Sequence, residues 1–367
     1  MGTSSRRQRT VHVLYEYGPD LYPHGSAFVR LIRPLTHPRL DKANKFIFDR
    51  EYRGQNVDAV IVDRLWRPDI SPTLARKLVD DVRSSGAKLI YALDDNFLDL
   101  PPERFPFAAL PQAGPVDELF WVVRFLLQQA DGLLVTTGAL RERLLSLNSH
   151  VVVLPHALDE RLLIQREAQR ESSPFGPRKH VIGYMGTLTH DEDLLMILPA
   201  LRSVCQRHEG DVELQIVGVA EQEHTLKALN DLPAHTISPK RGETAYPLFM
   251  LWFTTRIFWD IAIAPLEATR FNQCKSDIKF LDYGALGAAG VFSRVPAYAS
   301  SVRHMESGLL IENDSKAWEE GLEALLSDSD LRMRVAGNAS RALYQERTLE
   351  QCAHHWLSAL DRLLEGA

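Results

Sequence analysis

Short apolar runs, each followed by a longer helical stretch, recur along almost the whole chain, and that rhythm leaves few folds open. "VHVLYEYG" (11–18) reads as a strand leading into the helix "GSAFVRLIRPL". "VDAVIVDR" (57–64), "AKLIYALDD" (87–95), "DGLLVTT" and "HVVVLPH" follow as strands, separated by the helices "SPTLARKLVDDVRSSG", "VDELFWVVRFLLQQA" (116–130) and "GALRERLLSLN". Strands apolar on both faces, alternating with helices, predict a doubly wound parallel α/β sheet.

The rhythm breaks once. Residues 161–179 turn polar and then Ser-, Pro- and Gly-rich, the composition of a linker, and alternation resumes at "HVIGYMG" (180–186). Further strands are expected at 212–218, 234–238, 260–266, 289–293 and 308–312, with helices near 191–208, 221–230, 245–254, 276–286 and 315–327. The expected organisation is an N-terminal Rossmann-like domain (1–160), a linker, and a second such domain (180–344), facing each other across a cleft. Helical material ends the chain. Ligands in such sheets bind beyond the carboxyl ends of the strands, so residues just after each strand are the functional candidates.

Composition narrows the field. A net charge of -6, with no basic stripe interleaved with aromatics, argues against a nucleic-acid binder. Cys205, Cys274 and Cys352 form no CxxC pair, which fits a reducing cytoplasm rather than a disulfide framework or zinc site. No apolar run reaches the ~20 residues needed to span a bilayer. The tail "MGTSSRRQR" offers Arg6, Arg7 and Arg9 to anionic lipid at the inner face of the membrane, or is simply a frayed terminus.

The stretch "FNQCKSDIKFLDYGALGAAGVFS" (271–293) carries the sharpest chemical signal. Ser276 is placed to cap a helix beginning at Asp277, with Lys275 just before it and Lys279 in its first turn. Lysines there oppose the helix dipole, and a bound anion such as a diphosphate removes the conflict. Asp282 lies about 9 Å further along the helix, the reach from a diphosphate to a ribose. The alternative is a solvated patch in which Asp277 pairs with the two lysines. The small residues of "GALGAAG" are expected to let this helix lie close on the sheet.

Three other segments end strands. In "GYMGTLTHDEDLL" (183–195), Gly183 and Gly186 allow close backbone approach to a phosphate, Thr189 and Glu192 form a capping-box pattern, and Thr187 and His190 are ligand candidates. Asp94 and Asp95 close "LIYALDD" as acceptor-hydroxyl ligands, a general base, a carboxylate metal site or a helix cap. His24-Gly25-Ser26 precedes Arg30 and Arg33 and reads from the residues as a surface loop capped by Ser26.

The pattern "KSDIKFLDYGALGAAGVFSRVPAYASSV…SGLLIEND", with "IGYMGTLTHDEDLLMILPAL" and "ADGLLVTTGALRERLL…VVVLPHALD", resembles the retaining family-four glycosyltransferases (glycosyl transferases group 1) of the GT-B fold. The resemblance implies that 1–160 binds the acceptor, that 180–344 binds a nucleotide sugar, and that a C-terminal helix (345–367) crosses back onto the first domain. It implies a transferase of polysaccharide biosynthesis acting without metal or cofactor, on a glycan or lipid-linked acceptor. Gly25, Gly186, Thr187, Lys275, Ser276, Ile278 and Lys279 would hold the diphosphate, Lys275 would also be catalytic with Asp94 and Asp95, and Asp282 would bind the ribose. His190, Asn272 and Cys274 would meet the donor sugar. Cys274 stands where the family has the first glutamate of Glu-x7-Glu, so Asn272 or Glu267 would substitute, or the sugar is held differently. That departure keeps two alternatives open, a catalytically inactive GT-B subunit supporting a partner enzyme and a sugar-nucleotide epimerase.

Overall fold

The computed structural model describes residues 8–40, 44–105, 107, 110, 114–165, 179–186, 191–218 and 223–365. The chain divides into two units. The first comprises the chain up to Asp159, Cys274–Ser276 and the segment from Leu349 on; the second comprises Glu160–Gln273 and Asp277–Thr348.

In the first unit, β1 (Arg9–Leu14) leads to α1 (Gly25–Ala27), which continues through a π-helical turn (Phe28–Ile32) into α2 (Arg33–Leu35). There follow β2 (Asn44–Asp49), β3 (Ala59–Asp63), α3 (Pro72–Ser85), β4 (Lys88–Leu93), α4 (Val116–Gln129), β5 (Gly132–Val135), α5 (Gly138–Leu144) and β6 (Val151–Val153). The strands form a six-stranded sheet in the order β2-β1-β3-β4-β5-β6, every pair parallel. β3 and β5 are buried at every residue, as a sheet covered on both faces requires. Local signals set the crossovers. Ser71 Oγ accepts the Leu74 N–H at 3.4 Å to cap α3, Pro72 opens it, and Gly86 closes it at φ 76°.

The second unit repeats the plan. β7 (His180–Met185), α6 (Asp191–Met196), α7 (Leu198–Arg207), β8 (Val212–Val217), α8 (Glu223–Leu229) and β9 (Ala234–Ile237) come first. α9 (Tyr246–Arg256), β10 (Ile261–Ala264), α10 (Ile278–Leu286), β11 (Ala289–Ser293), α11 (Pro296–Ala299), β12 (Leu309–Ile311), α12 (Ser315–Ser327) and α13 (Ser329–Glu346) complete it. Its six strands run β12-β11-β10-β7-β8-β9, again all parallel.

The last helix, α14 (Leu349–Glu365), belongs to the first unit. Leu349, Cys352, Trp356, Ala359, Leu360 and Leu363 join a core with Val11, Val13, Leu31, Ile61 and Ile90. Arg9, offered above to lipid, instead pairs with Asp361 of this helix at 2.7 Å; Arg6 and Arg7 lie outside the described residues. Among the described residues no helix is long and apolar enough to cross a membrane.

Three local expectations are corrected. The helix expected over 191–208 is two helices, with Pro199 in the opening turn of the second. The helix expected from 276 begins at Ile278, and Gly284 faces α13 rather than the sheet: a Cβ there would lie 3.1 Å from the Ala339 carbonyl oxygen. β2 is an edge strand that the apolar pattern did not mark, because its residues are half exposed.

Trp356 is 2% exposed and its Nε1–H donates to the Arg30 carbonyl at 3.1 Å. Trp356→Ala is expected to destabilise the chain by about 3–5 kcal/mol in urea denaturation; a loss under about 1 kcal/mol would show that α14 is not part of the first unit's core.

Candidate active site

In the first unit the strand ends bring charged side chains together below the surface. Asp63, the last residue of β3, and Glu16, just beyond β1, are both fully buried. The π-helical turn directs Arg30 onto them. Its Nη2–H donates to Asp63, and its Nε lies 3.5 Å from Asp94 Oδ2. Arg64 Nε lies 3.3 Å from Glu16 Oε2 and 3.7 Å from Asp94 Oδ1, its Nη1–H donates to Ser26 Oγ at 3.1 Å, and its guanidinium stands 4.9 Å from the Phe97 ring centre. Arg64 at φ 49° and Trp66 at φ 30° are left-handed non-glycine residues, a strained turn held by this packing.

Burial alone would raise the Asp94 carboxyl, but the Arg30 and Arg64 guanidiniums, aided by His156, hold it well below the usual carboxylate range. Asp94 is therefore a fixed anion, suited to accept hydrogen bonds and poorly suited to take a proton. Several buried atoms of the network, including both Glu16 carboxylate oxygens, Arg30 Nε, Arg64 Nε and Asp94 Oδ1, have no hydrogen-bond partner. Unused polar capacity at the carboxyl ends of a parallel sheet marks a site for a polar ligand.

Of the residues singled out from sequence, Asp94, Asp95, Gly25, Cys274, Lys275 and Ser276 fall in this unit. Lys275 Nζ lies 3.6 Å from Asp95 Oδ1, and the Cys274 carbonyl accepts from Thr137 Oγ1 at 2.9 Å. Gly25 opens α1, and the capping position is His24 rather than Ser26, whose hydroxyl is taken by Arg64. Arg33 pairs with Asp159.

The second unit holds Gly186, Asn272, Ile278, Lys279 and Asp282; Thr187, Thr189 and His190 lie outside the described residues. Gly186 N–H bonds to the Val217 carbonyl at 3.1 Å. Gly218 sits at φ 77°, where a Cβ would come within 2.6 Å of the Gly186 oxygen, so the two strand ends meet backbone to backbone. α10 rises from the carboxyl edge of β10 with Asp277, not Ser276, at its capping position. The Asp277 carboxylate does not cap: it takes both Arg347 Nη groups, at 2.7 and 3.0 Å, and the Ser301 hydroxyl at 2.6 Å.

Lys279, in the first turn, is only 8% exposed, and its ammonium lies 5.7 Å from the ring centre of Tyr184 on β7. Asp282, one turn on, is 6% exposed. Burial pushes its carboxyl up to about 7, against the opposing pull of Lys279.

The loop after β10 is tied by a residue that sequence reading left unused. Asp193 Oδ1 accepts the Glu267 N–H at 2.8 Å and faces the Asn272 amide at 3.5 Å, and that amide also donates to the Glu267 carbonyl at 3.0 Å. Ser293 Oγ accepts the Leu266 N–H and Asn313 donates to the Leu266 carbonyl. Glu16, Asp63 and Arg64 were also missed; a charge ending an otherwise apolar strand, as in "VIVDR", was the available signal.

The Asp282 environment has a pH consequence. The folded state keeps this proton to about pH 7, whereas the unfolded chain releases it near pH 4. Between those values the folded state binds more protons, so this contribution to stability falls as pH rises and levels above about 7. Asp282→Asn is expected to flatten that slope in urea titrations at about pH 5 and pH 8. An unchanged slope would place the carboxyl's titration elsewhere.

Residues 179–328 match the family described as glycosyl transferases group 1. No curated protein matches the chain by sequence. Solved structures resemble it in fold. Sucrose-phosphate synthase from Thermosynechococcus elongatus superposes with a TM-score of 0.66 at 12% identity, over 98% of this chain and 100% of that one. Anabaena HepE, solved in complex with UDP and glucose, gives 0.64 at 11% identity over 97% and 100%. TarM gives 0.58 at 11% identity over 84% of this chain, which spans 56% of TarM's length. The chain has the GT-B fold, and the part of it that matches the glycosyl transferases group 1 model is residues 179–328.

Proposed function

We propose that the protein transfers a sugar from a nucleoside-diphosphate-sugar donor to a glycan or lipid-linked acceptor, with retention at the anomeric carbon and with lysines and backbone N–H groups serving the leaving group. The observation that carries this reading is the buried Lys279–Asp282 pair at the start of α10, within the segment that matches the transferase family. An ammonium and an adjacent carboxyl, one helical turn apart at a sheet's carboxyl edge, offer a diphosphate and a ribose what each binds best. HepE, of the same fold, was solved with UDP and glucose.

In this reading the Ile278 N–H and Lys279 of the second unit hold the diphosphate, and Lys275, Ser276, Gly25, Gly186 and Thr187 are further candidate ligands for it. Asp282 accepts from the ribose hydroxyls. Asn272, oriented by Asp193, meets the sugar with His190 and Cys274. Asp94, fixed as an anion, orients hydroxyl groups, and Asp95 stands beside Lys275 as a second acceptor for them. As the glycosidic bond breaks, charge grows on the diphosphate, where positioned cations and N–H groups need no reorganisation to meet it.

Cys274 favours a second reading. Burial, with Asp99 nearby, raises its thiol above the ordinary value, so it stands neutral where the family has a carboxylate. A catalytically inactive subunit that supports a partner enzyme, with weak or no nucleotide binding, would follow from that change.

Calorimetric titration with UDP, GDP, ADP and dTDP tests both. One nucleotide is expected to bind, and Lys279→Ala and Lys275→Ala each to weaken it about 10- to 100-fold, the loss of one charge-assisted contact. Binding with hydrolysis or transfer of the matching nucleotide sugar supports the enzyme. Binding without turnover weighs against the enzyme, and a folded protein that binds none of the four overturns it and supports the inactive subunit.

A further inference from the structure

α9 of the second unit differs from the chain's other long helices in what it shows to water. α12 sets Glu319 and Glu323 outward against Arg207, and α3 pairs Lys77 with Asp81 on its exposed side. α9 reads "YPLFMLWFTTR", with no charged residue before Arg256. Its inner side is filled by Met250, Trp252, Phe253 and Thr254, with Phe253 stacked on Phe249 and edge-on to Trp259.

Its outer side is apolar too. Leu248 is 48% exposed, Leu251 43% and Phe258, just past the end, 44%. Spacings of three and four carry 248, 251, 255 and 258 along one helix stripe. Ile164, 43% exposed, lies next to α9, its N–H donating to Thr254 Oγ1 at 3.3 Å. A helix apolar on all sides is a burial pattern, yet this one lies at the surface.

Cations bracket the stripe. Lys240 and Arg241 stand exposed ahead of α9, and Arg256 stands exposed at its end. The one acid among them, Glu243, is turned back to accept the Lys240 N–H at 3.0 Å. The chain as a whole is acidic, at -6, so its net charge opposes an anionic surface and a local cluster of cations such as this rim is needed to attract it there. A two-fold contact with a second copy would set the cationic rims against each other, an unfavourable arrangement. An apolar stripe with ammonium and guanidinium groups beside it fits the boundary between lipid headgroups and acyl chains.

We infer that α9, with Ile164, Phe258 and the Lys240–Arg241 and Arg256 cations, is a membrane-docking surface for anionic phospholipid. Leu248, Leu251 and Phe258 enter the acyl boundary, and the three cations meet lipid phosphates. Docking here is independent of what the protein does with a nucleotide.

The test is sedimentation of the full-length protein with vesicles of phosphatidylcholine alone and of phosphatidylcholine with phosphatidylglycerol, at low and high salt. Wild type is expected to partition onto the phosphatidylglycerol vesicles, less so as salt rises. Arg241→Gln/Arg256→Gln, which touches no packing, is expected to lower partitioning about 10- to 30-fold. Leu248→Glu/Leu251→Glu is expected to abolish it, with far-UV circular dichroism and melting temperature unchanged. The inference is overturned by failure to sediment with anionic vesicles, by equal binding to neutral ones, or by wild-type partitioning in the Arg double variant. It is also overturned if sedimentation velocity shows a dimer that Leu248→Glu/Leu251→Glu dissociates.

Discussion

The guanidinium of Arg30 is the constraint on which the first unit depends. It projects from a π-helical turn, where the extra residue per turn redirects a side chain, and it neutralises two carboxylates from neighbouring strands, Asp63 of β3 and Asp94 beyond β4. The carbonyl of the same residue receives the Trp356 indole. One residue therefore joins the first crossover, two central strands and the C-terminal helix. Burying such a charge is costly, and burial pulls its own pKa down; the arrangement persists because removing any partner would leave a charge uncompensated in the interior. That asymmetry makes the network a device for position more than for stability, and what it positions is the polar end of the sheet.

The second unit reaches the same end with fewer paired charges. Where the first unit spends paired charges, the second ties its β10 loop with single hydrogen bonds from Asp193, Ser293 and Asn313, and docks α10 on α13 through Gly284. Asp277 and Arg347 anchor the start of α10 from outside the helix. With its capping residue drawn away, the helix N-terminus keeps backbone N–H groups that its own capping side chain does not take up. A buried lysine in that first turn adds a cation beside those N–H groups, a setting that favours an anion.

Much of this architecture was legible in the sequence, for a reason particular to parallel sheets. Buried on both faces, β3, β5, β10 and β11 are continuous apolar runs, and a run such as "DIAIAPL" admits little else. β2 escaped because an edge strand is half solvated and mixes Lys and Asn with Phe and Ile. The placement of Lys279 and Asp282 on one helix was readable because it is local. The partner of Asp277 was not, because Arg347 is distant in sequence and nothing in a helix-start pattern points to it. The Glu16–Arg30–Asp63–Arg64–Asp94 network was hidden for the same reason: its members come from different crossovers, and only the strand order β1-β3-β4 sets them side by side.

Two buried carboxyls show how environment, not residue type, divides the chemical roles. Asp94, just beyond β4, keeps 12% of its side-chain exposure, and Asp282, within α10, keeps 6%. Asp94 faces two guanidiniums and is held ionised; Asp282 faces one ammonium, and desolvation prevails, raising it to about 7. The first is thereby a permanent acceptor, insensitive to physiological pH. The second can change protonation in the range where a polar ligand would be bound, and a ligand whose hydroxyls donate to the ionised form would draw its proton off. Occupancy of the Lys279–Asp282 site and the charge state of Asp282 are then linked, so affinity for such a ligand rises with pH through about 7, while any contact to Asp94 stays constant.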